Sequence, residues 1–243
     1  MPTEVHRILL SVRYYDAAQE YLRSLALEHF MEATPQATQR KISLESLDLV
    51  VARRSDFHLF NELLVQYRIR GKKKPGQVVP DNMVVLYEGP LNPEGSYDVP
   101  LQPAPPFWVL EYVSKSNKRK DYDDNFRKYE RQLKVPYYLL FQPDIRKLTL
   151  YRHNGLKYVR VKPNTHGRLA IPKIELEVAI LDDWVRYWYH GELLPLPAEL
   201  QRDLDETRRQ LDVERQARIA AEQELLRIRA ELEELKRRNN RSH

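Results

Sequence analysis

Two acidic residues occupy positions where a carboxylate is costly. Asp81 follows Pro80 and opens a β-branched run, and Glu111 interrupts the apolar run from Phe107 to Ser114. A carboxylate inside a buried strand is expensive unless it is paired or bound to a metal. If the two strands are neighbours, both carboxylates converge. With a backbone carbonyl they would form a hard-oxygen site for Mg²⁺ or Mn²⁺, completed by water and a substrate phosphate.

A lysine can share the face of Glu111. Side chains two and four residues apart in a strand lie on the same face, so Lys115 can reach the position of Glu111. There it can orient an attacking water or neutralise charge that develops on a phosphate. The alternative is structural, with Glu111 in an ion pair with Lys115 or Arg131 and Asp81 as a turn residue.

The residues around these carboxylates predict a mixed sheet. Apolar and β-branched runs predict three strands in one sheet, over Val84–Tyr87, Val109–Val113 and Tyr137–Phe141. A helix is expected over 121–133, a hairpin at Asn154-Gly155, and a loop over the proline-rich residues 89–106. Strand, helix and strand in this order form a βαβ unit. The sequence therefore predicts an α/β (α+β) fold, a central mixed sheet flanked by helices.

The first seventy residues are predicted to be helical in two places. Apolar residues at helical spacing from Leu59 to Tyr67 predict a helix over 56–69 that ends before Gly71. A weaker pattern predicts a helix over 12–30. We expect residues 1–40 to form an N-terminal segment that is helical or partly mobile.

The C-terminal residues have a different pattern. The chain contains no glycine or proline from Ala198 to Arg238, and apolar residues recur there in alternating steps of four and three, with a polar gap at Glu214 and Arg218. This is a heptad seam. We expect residues 196–243 to form a coiled-coil helix that joins two copies into a homodimer. The alternatives are an isolated charged helix or a helix that folds back onto its own domain.

Composition excludes several classes of protein. None of the 243 residues is cysteine, which excludes disulfides, thiol nucleophiles and zinc ribbons and fits a cytoplasmic setting. With seven glycines and no glycine-rich phosphate loop, the common nucleotide-binding motifs are absent. No run approaches the ~18 apolar residues that a membrane helix needs, and no secretory pattern precedes the chain's first helix, so we expect no membrane association.

Two basic clusters stand out in a chain of net charge +5. The first consists of Arg68, Arg70, Lys72, Lys73 and Lys74. The second runs from Lys115 to Lys134 and includes Lys118, Arg119 and Lys120. Such clusters predict contact with a phosphate backbone, and therefore DNA as a partner, although an ordinary solvated surface is the alternative for each.

Four segments resemble a known family. Pro80-Asp81, Glu111 to Ser114, a helix ending in Lys128-Tyr129, and Val135 to Pro143 resemble the Uma-two group of restriction-endonuclease-like proteins in the PD-(D/E)XK nuclease superfamily. The resemblance implies a restriction-endonuclease-like core over residues 41–195. It also implies an endodeoxyribonuclease that hydrolyses phosphodiester bonds with a Mg²⁺-activated water. The alternative is a non-catalytic nuclease-fold module that binds DNA or organises an assembly through its coiled coil.

The resemblance assigns roles to particular residues. Asp81 would be the acidic residue of the first half-motif and Glu111 that of the second, and both would bind the metal. Two residues after Glu111 the chain departs from the superfamily pattern, because Val113 stands where lysine is expected.

The catalytic lysine would then come from elsewhere, with Lys115 first, Lys128 second and Lys120 third. Glu62, on the helix predicted before Asp81, matches an additional acidic metal ligand of related nucleases. An exposed glutamate is the alternative for Glu62.

Overall fold

The computed structural model describes residues 4–25, 34–113 and 119–240, without side-chain detail for residues 34, 119–122, 235 and 238–240. The chain divides into two compact units, residues 1–194 and 195–243. Within the second unit the described residues form one long helix, α4 (Pro197–Asn240). None of the helices in the described ranges combines the length and apolarity needed to cross a membrane.

A six-stranded sheet forms the centre of the first unit. Its strands, in spatial order, are β1 (Phe57–Asn61), β4 (Asn82–Leu86), β6 (Pro106–Tyr112), β7 (Tyr137–Gln142), β8 (Lys147–His153) and β9 (Tyr158–Arg160). Strands β6 and β7 are parallel, and the other neighbours are antiparallel, so the sheet is mixed. The predicted fold class is confirmed, and the three predicted strands lie in this one sheet.

Two smaller sheets accompany the central one. The first has the spatial order β3 (Gly76–Val78), β2 (Leu64–Tyr67) and β5 (Ser96–Asp98). The second contains β10 (Leu169–Ile171), β11 (Leu176–Leu181), β12 (Trp184–Tyr189) and β13 (Glu192–Leu193). Strand β5 pairs in parallel with β2, so residues 89–106 are not the continuous loop that their prolines predict.

The helix predicted over residues 56–69 is wrong, because this segment forms β1 and β2. The turn between them holds Glu62 in a left-handed conformation, with φ of 47°. All four residues of β2 are buried, so its apolar residues face cores on both sides. Buried strands and helix faces both produce such short apolar runs, and periodicity alone does not distinguish them.

The helices of the first unit partly match the predictions. Helix α1 (Glu4–Ser24) begins earlier than predicted, and residues 26–30 of the predicted helix lie outside the described ranges. Helix α2 (Thr34–Val51) precedes β1. The predicted helix over 121–133 is present as α3 (Arg119–Arg127), which continues into a π-helical turn (Lys128–Leu133).

The central sheet separates two apolar cores. Alternate residues of β6 point to opposite faces. Trp108, Leu110 and Tyr112 enter a core that also contains residues of α2 and β10–β12, whereas Val109 enters a core with Tyr129 of the π-helical turn. Glu111 alternates with its neighbours in the same way, so it lies on the face of Val109 and Tyr129.

A buried polar network on the opposite face of the central sheet connects α2 to that sheet and to the sheet that contains β12. The Ser43 hydroxyl lies 2.8 Å from the Tyr112 hydroxyl and 2.6 Å from that of Tyr187, within hydrogen-bond distance of both. The Gln39 amide pairs with the backbone N–H and C=O of Val185. The Tyr112 hydroxyl also donates to Asn82 on β4. These contacts fix β6 and β4 against α2.

Replacing Ser43 with alanine tests this network. Ser43→Ala removes the shared partner of two buried tyrosine hydroxyls, so we expect the free energy of unfolding to fall by about 1–3 kcal/mol. Urea denaturation followed by circular dichroism measures it. Ser24→Ala, which removes an exposed hydroxyl bonded to the Tyr21 carbonyl, is the matched control. Equal stability of the two variants would show that the network contributes nothing.

Candidate active site

The register between β4 and β6 brings the two sequence-predicted carboxylates together. Asn82 pairs with Leu110 in this antiparallel ladder. Continuing the register by one residue places Asp81 opposite Glu111, and residues directly opposite each other share a face. The Tyr112 backbone N–H donates to Asp81 Oδ2 at 2.6 Å, which fixes the Asp81 carboxyl group beside the end of β6.

The Asp81 and Glu111 carboxyl groups are close enough for each to act on the pKa of the other. Burial raises the pKa of Asp81 to about 6, against the opposing effect of the Tyr112 N–H. Burial, followed by the charge of Asp81, raises the pKa of Glu111 well above its usual value. Two acids that resist ionising together form a site in which a cation would be stabilised.

Tyr129 holds one oxygen of Glu111. Its hydroxyl donates to Glu111 Oε1 at 2.6 Å, and its side chain is fully buried. Burial raises the pKa of Tyr129 well above its usual value, so the phenol stays a donor. The sequence predicts only an inward-facing residue on a helix at this position, because the pairing with Glu111 depends on how that helix packs on the sheet.

Lys128 precedes Tyr129 on the π-helical turn and is close enough to affect Glu111. Its positive charge lowers the pKa of that carboxyl group, although burial has the larger, opposite effect. The Lys128 ammonium also forms an ion pair with Asp124 at 2.8 Å. Lys115 lies outside the described residues, and for Lys120 the structure gives no side-chain detail.

Glu62 reaches the neighbourhood of Asp81 by a different route from the predicted one. It lies in the turn between β1 and β2, where its backbone N–H donates to the Asp81 carbonyl. The side chain, 51% exposed, forms an ion pair with Arg40 of α2 at 2.5 Å. The negative charge of Glu62 raises the pKa of Asp81 and the positive charge of Arg40 lowers it. The sequence analysis missed Arg40, since nothing in the spacing connects it to Asp81.

The first basic cluster lies on the connection between β2 and β3, and each of its five side chains is exposed. Lys74 forms an ion pair with Glu20 of α1 at 2.6 Å. In the second cluster, Lys118 falls outside the described ranges, and Arg119 and Lys120 lie in the first turn of α3 without side-chain detail.

The carboxylates provide a small ligand set. Across the described ranges, no group of three or more His, Asp or Glu side chains is arranged to hold a metal ion. Mg²⁺ does not require such a group, because it keeps several waters and is commonly bound by one or two carboxylates together with substrate phosphates. Asp81 and Glu111 fit that mode, and Glu62 is held by Arg40.

Among the comparisons with known proteins, a family model matches most of the chain, whereas curated relatives do not. The model of the Uma2 family, described as "Putative restriction endonuclease", matches residues 29–181, more than half of the chain and both carboxylates. A solved structure from Anabaena variabilis, described as "a putative nuclease belonging to DUF820", is 16% identical, with a TM-score of 0.44. That likeness covers 59% of this chain and 75% of the other. No curated protein matches the chain.

The raised pKa values predict how stability depends on pH. Both carboxyl groups bind protons more tightly in the folded state, so the free energy of unfolding should fall as pH rises from about 4 to about 6 and beyond. Asp81→Asn removes the charge conflict while keeping an acceptor for the Tyr112 N–H. Without divalent metal at pH 7.5, we expect this variant to be more stable than the wild type by about 1–3 kcal/mol.

The difference between the two proteins should shrink toward zero near pH 4. Urea titrations at several pH values in the presence of a chelator measure both curves. Asp212→Asn, at an exposed position on α4, is the control for loss of one charge. Parallel curves for wild type and Asp81→Asn would contradict a shared, buried pair.

Proposed function

Because this chain belongs to the Uma2 family, we propose that it is a Mg²⁺-dependent endodeoxyribonuclease that hydrolyses DNA phosphodiester bonds with a metal-activated water. The family assignment supports a nuclease in general. The observation that carries the finer proposal is the pairing of the half-buried Asp81 with the buried Glu111 across the β4–β6 ladder, because the raised pKa values of the two acids leave the site short of positive charge.

Asp81 and Glu111 would hold the metal ion. A bound Mg²⁺, or Mn²⁺ in its place, lowers the pKa of a coordinated water and neutralises charge on the scissile phosphate. The residues of the chain itself set the geometry. The Tyr112 N–H orients the Asp81 carboxylate, and the Tyr129 hydroxyl donates to Oε1 of Glu111, so that Oε2 would be the oxygen that binds the metal.

A lysine would complete the chemistry by orienting the attacking water or neutralising the developing charge. Lys128 has the better support, because its charge already acts on Glu111. Its ion pair with Asp124, whose side chain is exposed, can be exchanged for a contact with a phosphate. Lys115 remains the alternative from the strand geometry, and Glu62 remains a candidate third ligand if Arg40 releases it.

The partner would be DNA, held by the two basic clusters. Exposed lysine and arginine side chains release counterions when they contact phosphates, which gives affinity without sequence preference. The heptad seam of α4 supports a homodimer, in which two active sites can act on one duplex. The absence of cysteine supports the proposal that the protein acts in the cytoplasm, which is reducing.

Substitution of the carboxylates tests the activity. We expect Asp81→Asn and Glu111→Gln each to reduce Mg²⁺-dependent cleavage of plasmid DNA by at least about a hundredfold, as loss of a group that stabilises the transition state does. Both variants keep the shape of the side chain, so circular dichroism should show a folded protein. Asp212→Asn is the control that should cleave like the wild type. Wild-type protein without metal-dependent cleavage would favour the non-catalytic, DNA-binding module.

The same assay distinguishes the candidate lysines. If Lys128 assists the water, Lys128→Met lowers the cleavage rate far more than Lys115→Met. The reverse order would assign the role to Lys115. Equal, small effects of both would exclude a lysine-assisted mechanism that uses either residue.

The salt dependence of DNA binding tests the partner. Each phosphate contact contributes about −0.9 to the slope of log affinity against log salt. We expect the triple variant Lys72→Glu, Lys73→Glu, Lys74→Glu to lose about 2 units of slope rather than about 3, since Lys74 is already paired with Glu20. Fluorescence anisotropy in Ca²⁺, with Lys157→Glu, Lys162→Glu as the control for charge, measures it. A wild-type slope near zero would remove DNA as the partner.

A further inference from the structure

Helix α4 carries an apolar seam with no partner among the described residues of its own unit. Every side chain from Leu200 to Glu234 is exposed. The large apolar residues of the seam are each 44–59% exposed, and they are Leu200, Leu204, Leu211, Leu225, Ile228 and Leu232. Their spacing assigns Leu204, Leu211, Arg218, Leu225 and Leu232 to heptad position a, and Leu200, Thr207, Glu214, Ala221 and Ile228 to position d.

The regularity of this seam indicates a second helix as its partner. A straight α-helix drifts by about 20° per heptad relative to a strict seven-residue repeat. Over the five heptads from Leu200 to Leu235 the seam of a straight helix would rotate around the helix axis. A flat surface of a globular domain could therefore contact only part of it. Two supercoiled helices remain in contact along its whole length, because the supercoil compensates the drift.

We propose that α4 pairs with α4 of a second copy in a parallel, in-register coiled coil. The residues at positions g and e carry this inference. In a parallel pair each g residue faces the e residue five positions later on the other helix, and charges at these positions set the orientation. Asp203 then faces Arg208 of the partner subunit, Glu224 faces Arg229 of the partner subunit, and Glu231 faces Lys236 of the partner subunit.

The remaining two parallel pairs contain no conflict. Gln210 faces Arg215 of the partner subunit and Ala217 faces Glu222 of the partner subunit. Three of the five g–e pairs are thus attractive and none is repulsive. Each of the five pairs occurs twice in a symmetric dimer. Within their own helix, Glu224 and Glu231 both form ion pairs with Arg227. These ion pairs are exposed and weak, so both glutamates can pair with the partner subunit instead.

An antiparallel pair meets like charges instead. In that orientation e faces e and g faces g. With Glu214 opposite Arg218 of the partner subunit, Arg215 meets its own copy and Asp203 meets Glu231 of the partner subunit. Arg208 opposite Glu222 of the partner subunit is the attractive contact that remains. The flanking charges therefore favour the parallel orientation.

The polar gap has the opposite preference. In an antiparallel pair Glu214 lies opposite Arg218 of the partner subunit within one layer, whereas in a parallel pair each residue meets its own copy and reaches the opposite charge one layer away. The four charges are neutral in total in either orientation, so the three attractive g–e pairs, each present twice, carry the parallel assignment. Polar residues at isolated core positions specify the register of two-stranded coils, at a cost in stability.

The parallel orientation has a consequence that rests on the proposed function. The two Pro197 ends lie side by side, so two nuclease units are joined to the same end of the coil. Both active sites are then available to one short stretch of duplex. An antiparallel coil would join them to opposite ends of a helix about 60 Å long.

Because the chain contains no cysteine, single substitutions report the orientation directly. Full-length Leu200→Cys and Leu232→Cys proteins are oxidised separately and as an equal mixture, and the disulfide-linked peptides are identified by mass spectrometry. The parallel coil predicts a covalent dimer from each variant alone and no linkage between positions 200 and 232. Gln223→Cys, on the outer face at position f, is the control that should stay monomeric under the same oxidation.

Each other outcome overturns the proposal. Linkage between positions 200 and 232 only in the mixture assigns an antiparallel coil, and no linkage in any sample removes the coil. Repeating the oxidation with Asp81→Asn added separates this inference from the nuclease proposal, since pairing of α4 does not depend on cleavage.

A charge exchange provides a second measurement. Glu224→Arg should weaken the dimer roughly tenfold in Kd, measured by sedimentation, because two attractive pairs become repulsive. Adding Arg229→Glu should restore it. In the antiparallel alignment these residues face glutamines, so no restoration would occur.

Discussion

The main constraint on this molecule is the close approach of two carboxyl groups, those of Asp81 and Glu111, at a site that largely excludes water. The register of β4 against β6 requires the contact, since Asp81 lies one step beyond the Asn82–Leu110 pair. Burial raises both pKa values, and the pair can share one proton in the absence of another cation. Repulsion between the two carboxyl groups lowers the stability of the folded state, so the rest of the unit must compensate for it. Tyr112 contributes to this on both faces of β6.

Tyr112 connects the carboxylate pair to the far core. Its N–H donates to Asp81, while its hydroxyl donates to Asn82 and is hydrogen-bonded to the Ser43 hydroxyl on the opposite face. A shift of β6 relative to α2 or β4 would break both sets of bonds at once. The polar network on one face of the sheet thereby helps to fix the Asp81 carboxyl group, which couples the candidate site to the packing of α2 and β12.

The sequence predicts the strands and the facing carboxylates well because both produce a recognisable pattern among neighbouring residues. An isolated acid in an apolar run and a proline before a β-branched run are visible without a fold. The segment 56–69 was predicted wrongly, because four consecutive buried residues of β2 satisfy helical spacing equally well. Arg40 and the bond from Tyr129 to Glu111 were missed for a different reason. They join elements far apart in the chain, and only tertiary packing creates them.

Val113 explains why the π-helical turn matters at this site. Residue 113 points to the same face as Glu111, but its side chain packs into the core with Tyr129 and carries no charge. Among the described residues, the cationic side chains that act on the carboxylates come from neighbouring elements, Lys128 from the π-helical turn and Arg40 from α2. The turn at Lys128–Leu133 brings two consecutive residues, Lys128 and Tyr129, to one carboxyl group. π-helical turns are rare and recur at functional sites, and this one places the Tyr129 hydroxyl against Glu111.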